Sequence, residues 1–173
     1  MLSVAIVSAQ TVPETFTATA SVKHGEASAS APVGVTITRF ASAGERDAVV
    51  KAVREHGTAG ARQTLATMPD AGFIELGGRR TAIKFAGVRP TGSGRLVTIL
   101  TAEPILFLGA GIPSSRARQG FDVAVAMLDV NDAGAGLGEL APAARIALDA
   151  EGALRIEDYG ATVVWLQGLA RAK

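Results

Sequence analysis

Between Thr15 and Val22 the chain alternates: Phe16, Ala18, Ala20 and Val22 stand on one side, and Thr15, Thr17, Thr19 and Ser21 on the other. A period of two defines a half-buried strand, here with a threonine-rich face toward water. A polar loop, KHGEASASAP, follows, and Val33, Val35 and Ile37 then alternate with Thr36 and Thr38 as a second strand. There the period changes. Val49, Ala52 and Val53 recur at helical spacing behind Ser42 and Glu45, which stand three residues apart, so that each side chain can satisfy a backbone amide at the helix start. Gly57 ends that helix. A second, shorter helix is predicted over residues 58–68, because Ala61, Leu65 and Met68 recur at three and four residues and Pro69 forbids continuation. The two make a short helical hairpin inserted after the second strand.

Beyond Phe73 the pattern returns to strands. FIEL and TAIKFAGV flank GGRR, whose Gly77 and Gly78 can take the positive backbone angles that a tight turn needs. RPTGSGR punctuates before LVTILTA, and because both faces of that segment are apolar it is predicted to be a central strand. FDVAVAMLDV, RIAL, ALRIED and ATVVWLQGL follow, separated by NDAGAGLG and DAEG as turns and EDYG as a bend. Short strands joined by glycine and aspartate turns predict an α+β fold that is predominantly antiparallel β, a sandwich or partly closed barrel. No repeat or linker interrupts it, so residues 10–173 are expected to form a single globular domain.

Composition narrows the function. Of the 173 residues 48% are hydrophobic, 19% charged and 5% aromatic, so the core must be built mainly from Val, Ile, Leu and Ala. Seventeen Lys and Arg nearly cancel sixteen Asp and Glu, and no stretch concentrates one sign, which argues against nucleic acid as a partner. The absence of cysteine excludes disulfides, thiolate metal sites and thiol chemistry.

The first residues, MLSVAIVSAQ, carry a short apolar run and then Val7-Ser8-Ala9 before Gln10, with small or apolar residues at the positions that signal peptidase reads. Residues 1–9 are therefore expected to be the remnant of a signal peptide. The basic region and longer apolar core that a complete one needs are expected upstream of Met1, and the mature chain would begin at Gln10. The competing expectation is an ordinary first strand over residues 2–7. No later segment reaches the roughly 18 uninterrupted apolar residues needed to span a bilayer, so no transmembrane segment is predicted.

Candidate chemistry is sparse. LFLGAGIPSSR resembles the start of a dinucleotide loop, but Ser114 stands where the third glycine belongs and the next strand begins too soon for a crossover helix. A connecting loop is the expectation, with Arg116 and Arg118 beside it able to meet an anionic ligand. DVNDAGAGLGEL matches parts of a calcium loop at Asp129, Asn131 and Gly134, yet Ala133 and Leu140 occupy ligand positions, and a turn is expected. No metal and no cofactor are predicted. His24 lies in a polar loop, and His56 suits the negative end of a helix. No nucleophile elbow surrounds any serine, so no catalytic residue is assigned. Tyr159 is expected to pack its ring and keep its hydroxyl wet. Trp165, the only tryptophan, is expected in the core, with a place on a ligand platform as the second reading.

The segments ERDAVVKAVREHGTAGARQTL, AIKFAGVRPTGSGRLVTILTAEPI and EDYGATVV together resemble a group of small exported bacterial proteins of unknown function, such as those of soil Acidobacteria. The resemblance spans residues 14–173 and implies export to the periplasm or beyond. It carries no activity to any residue. The function expected is a non-enzymatic binding or interaction module of the envelope, whose partner is an unknown protein or a small apolar ligand. The alternative is a carrier whose cavity is lined by Val35, Ile83, Phe85, Leu100 and Trp165, since a curved Ala- and Val-rich sheet can leave a hollow. A third reading, a hydrolase, requires Asp132, Glu139, Glu157, Asp158 or a histidine to converge in one cleft.

Overall fold

The alternation that begins at Thr15 becomes the first arm of a long hairpin. In the computed structural model, which describes residues 12–105 and 119–173, β1 (Glu14–His24) pairs with β2 (Ala27–Ile37) along its whole length. Phe16, Ala20, Val22, Val33, Val35 and Ile37 are buried on its inner face. On the outer face the threonines line up, and the hydroxyls of Thr15 and Thr36 share a hydrogen bond of 3.2 Å.

The helical region α1 (Ala43–Thr67) opens with the reciprocal cap that its sequence predicts: Glu45 N–H donates to Ser42 Oγ, and Ser42 N–H donates to Glu45 Oε2. Gly57, at φ 62° and ψ −152°, breaks it into two helical segments. The second turns back on the first. A Cβ at Gly60 would stand 2.9 Å from the Ala52 carbonyl oxygen, whereas eight residues of straight helix advance about 12 Å. The expected hairpin is thus a sharp corner at one glycine, pinned to the sheet by Thr58, whose hydroxyl accepts from Ile146 N–H at 3.0 Å.

The remaining strands are β3 (Gly72–Leu76), β4 (Arg79–Ile83), β5 (Phe85–Thr91), β6 (Gly94–Leu100), β7 (Val123–Asn131), β8 (Ala135–Leu148), β9 (Leu154–Tyr159) and β10 (Val164–Arg171). Every ladder is antiparallel. The order across the sheet is β4-β3-β2-β1-β10-β8-β7-β6-β5, with β9 added to β8. Two meanders, β1 to β4 and β5 to β8, are joined by the last strand, which enters between β1 and β8. The outermost strands of that order, β4 and β5, are separated in the chain only by Lys84. At about 3.8 Å per Cα step the two ends of the sheet must lie side by side, so the sheet curls into a nearly closed barrel.

Lys84 also corrects the sequence-based expectation of one continuous strand over TAIKFAGV. Ile83 belongs to the barrel interior and Phe85 to the layer beneath α1. Residues two apart on an unbroken strand share a face, so the chain must turn at Lys84, whose ammonium holds Asp70 Oδ1 at 2.6 Å. A second difference lies at AGLG, the second half of the expected turn NDAGAGLG, found as the start of the 14-residue β8. There Gly136 serves close approach: any Cβ would collide with the Asp129 carbonyl oxygen of β7. The strand β9 likewise runs through Glu157 and Asp158 to Tyr159, three residues into the expected bend EDYG.

Two apolar layers result. Residues such as Phe16, Ile74, Val97, Ile99, Leu128 and Leu166 fill the barrel. On the outer face of β5 to β8, Val49, Val53, Ala61 and Leu65 of α1 cover Phe85, Leu100, Val123, Val125, Ala141 and Ala144. Burial on both faces explains why LVTILTA and FDVAVAMLDV are apolar throughout, and β6 pairs on both sides as predicted. At one end of the barrel Glu14 is 5% exposed. Arg95 Nη2 of β6 donates to both its carboxylate oxygens, at 2.7 and 2.9 Å, and Arg171 of β10 stands 3.5 Å away. Among the described residues no helix is long and apolar enough to cross a membrane.

Candidate functional site

The helix α1 leaves part of the outer sheet face uncovered. Between its first turns, the outer faces of β5 to β7 and the β8–β9 hairpin lies a groove of about 420 Å³. Strand parity builds its floor: Phe85, Leu96 and Met127 point outward from three neighbouring strands, while Val50 of α1 and Leu154 of β9 close the sides. Gly87 makes room for Phe85, since a Cβ there would come within 2.9 Å of that ring. The lip is the β8–β9 turn. Asp149 Oδ1 accepts from the amides of Glu151 at 3.0 Å and Ala153 at 2.8 Å, which fixes Gly152 and Ala153 against the opening.

Three arginines surround this apolar floor: Arg46 from the first turns of α1, Arg89 from β5 and Arg155 from β9. All three are exposed, and none makes an ion pair with another described residue. Of the two acids beside Arg46 in the helix, Glu45 is already engaged. Glu45 receives Arg39 Nη1 at 2.9 Å, and this hydrogen bond, followed by that from the Ser42 amide, holds its carboxyl down at about 2. Among the described residues the only carboxylate lining the groove is that of Asp149, which carries the turn. The site combines a few polar groups with a mostly apolar wall, the usual make-up of a small-molecule pocket.

The residues singled out from the sequence lie elsewhere. Tyr159 and Trp165 are brought together around Glu139: Tyr159 Oη donates to Glu139 Oε1 at 3.2 Å, and Trp165 is the cross-strand partner of Glu139. Partial burial first, and then the Glu139 charge, raise the Tyr159 pKa. Trp165 is not in the core. It is 56% exposed, because Val164 and Leu166 on either side point into the barrel and the residue between them must face out. The uniformly apolar run VVWL concealed that parity. Arg116, Arg118, the LFLGAGIPSSR segment and residues 1–9 lie outside the described residues.

The five residues expected to line an internal cavity are divided between layers. Val35 and Ile83 face the barrel, Phe85 and Leu100 lie beneath α1, Trp165 faces out, and only Phe85 lines the groove. The acids are similarly dispersed. Glu157 pairs with Arg145 at 3.2 Å, Glu139 holds Tyr159, and Asp132 sits in the β7–β8 turn, where Asn131 Oδ1 accepts from Ala135 N–H. His56 is exposed beside the break at Gly57. Among the described residues no three His, Asp or Glu side chains are grouped so as to hold a metal.

Arg46, Arg89, Arg155 and Met127 were not singled out in the sequence. They stand on four separate elements, each within an ordinary local pattern, and no spacing along the chain connects them. No protein family, curated protein or solved structure matches this chain.

Proposed function

We propose that this protein is a non-enzymatic binding module that holds a small, largely apolar molecule in the groove beside α1, acting in the bacterial envelope after export. The observation that carries this reading is the groove itself, about 420 Å³ over Phe85, Leu96 and Met127. That volume lies within the roughly 300–1,000 Å³ of small-molecule sites, and its wall is apolar with few polar groups. The dispersal of the acids weighs against hydrolysis, which needs an acid and a base within reach of one substrate. Export rests on Val7-Ser8-Ala9 before Gln10 and agrees with the resemblance to small exported proteins.

Native mass spectrometry of the protein released from its own envelope fraction tests both parts. The expected spectrum is a chain beginning at Gln10 with a small molecule retained. A bare chain under gentle ionisation would count against the carrier role, and a chain retaining residues before Gln10 would overturn the export argument.

A further inference from the structure

Resting on the groove reading, we infer that the ligand is an amphiphile with an anionic head, an alkyl chain ending in a carboxylate or phosphate, whose charge is met by Arg46, Arg89 and Arg155. The convergence of three guanidiniums on one apolar groove carries this inference, set beside the arginines that do find acids. Arg39 meets Glu45, Arg80 meets Glu75, Arg145 meets Glu157, and Arg95 and Arg171 share Glu14. Around the groove three guanidiniums from three different elements line one apolar floor, and none makes an ion pair with a described residue; Arg54, Arg62 and Arg79 make none either, but they do not line this groove. Asp149, which also lines the groove, is in no ion pair with them, and its Oδ1 accepts from two backbone amides of its own turn.

The chemistry of the trio selects the head group. A guanidinium presents a planar fork of donors that fits two oxygens of a carboxylate or phosphate, and it is more weakly hydrated than an ammonium. Against an apolar wall, where water is partly excluded, such bonds are stronger than on an open surface. A neutral alcohol with the same chain would fill the floor and leave the guanidiniums to water. A cationic amphiphile would be repelled.

Calorimetry with decanoate, decyl phosphate, 1-decanol and inorganic phosphate tests this on the intact protein. Decanoate or decyl phosphate is expected to bind at least about tenfold tighter than 1-decanol, as hydrogen bonds to charged groups warrant. Inorganic phosphate alone should bind far more weakly than decyl phosphate, and the tighter of the two anionic chains identifies the head. Combined Arg46→Gln, Arg89→Gln and Arg155→Gln substitution should bring the anion down to the affinity of 1-decanol, while 1-decanol binding, which also reports an intact groove, stays unchanged. Equal affinity of decanoate, decyl phosphate and 1-decanol for the unaltered protein would overturn the anionic head and leave the groove reading standing. Binding of none of the three chains would overturn both.

Discussion

Arginines occur in two opposite settings in this molecule. At the end of the barrel Arg95 and Arg171 converge on Glu14, a carboxylate almost shut off from water, and tie β1 to β6 and β10. On the outer face Arg46, Arg89 and Arg155 stand around the groove and make no ion pair with a described residue. A buried charge must be neutralised within the chain, because a lone one costs several kcal/mol. A charge that water still reaches carries no such obligation, and can be left for a ligand. The barrel end therefore works as structure, and at the groove three such charges stand around one apolar floor.

The largest effect should come from the barrel end. Glu14→Gln leaves Arg95 without its counter-charge and should lower stability by about 3–5 kcal/mol, read as a lower urea midpoint. Arg89→Gln in the groove should change it by less than about 0.5 kcal/mol. Equal losses at the two sites would erase the distinction between them. A smaller effect is expected at Gly87, where Ala would press on the buried Phe85 ring. Overpacking of this kind costs about 1–3 kcal/mol, and the displaced ring should weaken 1-decanol binding measured by calorimetry.

Chain length probes the floor alone. Each buried methylene contributes about 0.8 kcal/mol, so affinity should rise roughly fifteenfold from octanoate to decanoate, and a flat series would mean that the apolar floor is not used. A further small effect belongs to Glu45. Its carboxyl is held at about 2 in the folded chain against about 4.5 normally. A depressed pKa adds stability that is fully present above about 4.5 and is lost as the pH falls toward about 2. The pair with Arg39 is open to solvent, so the loss should stay below about 1 kcal/mol. Denaturation midpoints across that window should fall less steeply in Glu45→Gln.

What was legible in the sequence is what local chemistry decides. The parity of Phe16 to Val22, the cap at Ser42 and Glu45, the break at Gly57 and the turn at Gly77 and Gly78 each follow from period, capping or backbone freedom over a few residues. The turn of the chain at Lys84, the entry of β10 between β1 and β8, and the outward face of Trp165 depend on how the whole sheet curls. Long-range register has no local signature where both neighbours of a residue are apolar. The groove was hidden for the same reason, since its arginines meet only when α1, β5 and β9 are packed together.

The central claim is that the groove takes the ligand, and the Met127 ε-methyl tests it most directly. Met127 lines the groove, whereas Met68 lies outside it at the end of α1. With the methionine methyls labelled with carbon-13 and the protein titrated with decanoate, the Met127 resonance should shift and saturate while that of Met68 stays in place. A Met127 signal that does not move at saturating decanoate, or a Met68 signal that moves as far, would contradict a site at this groove.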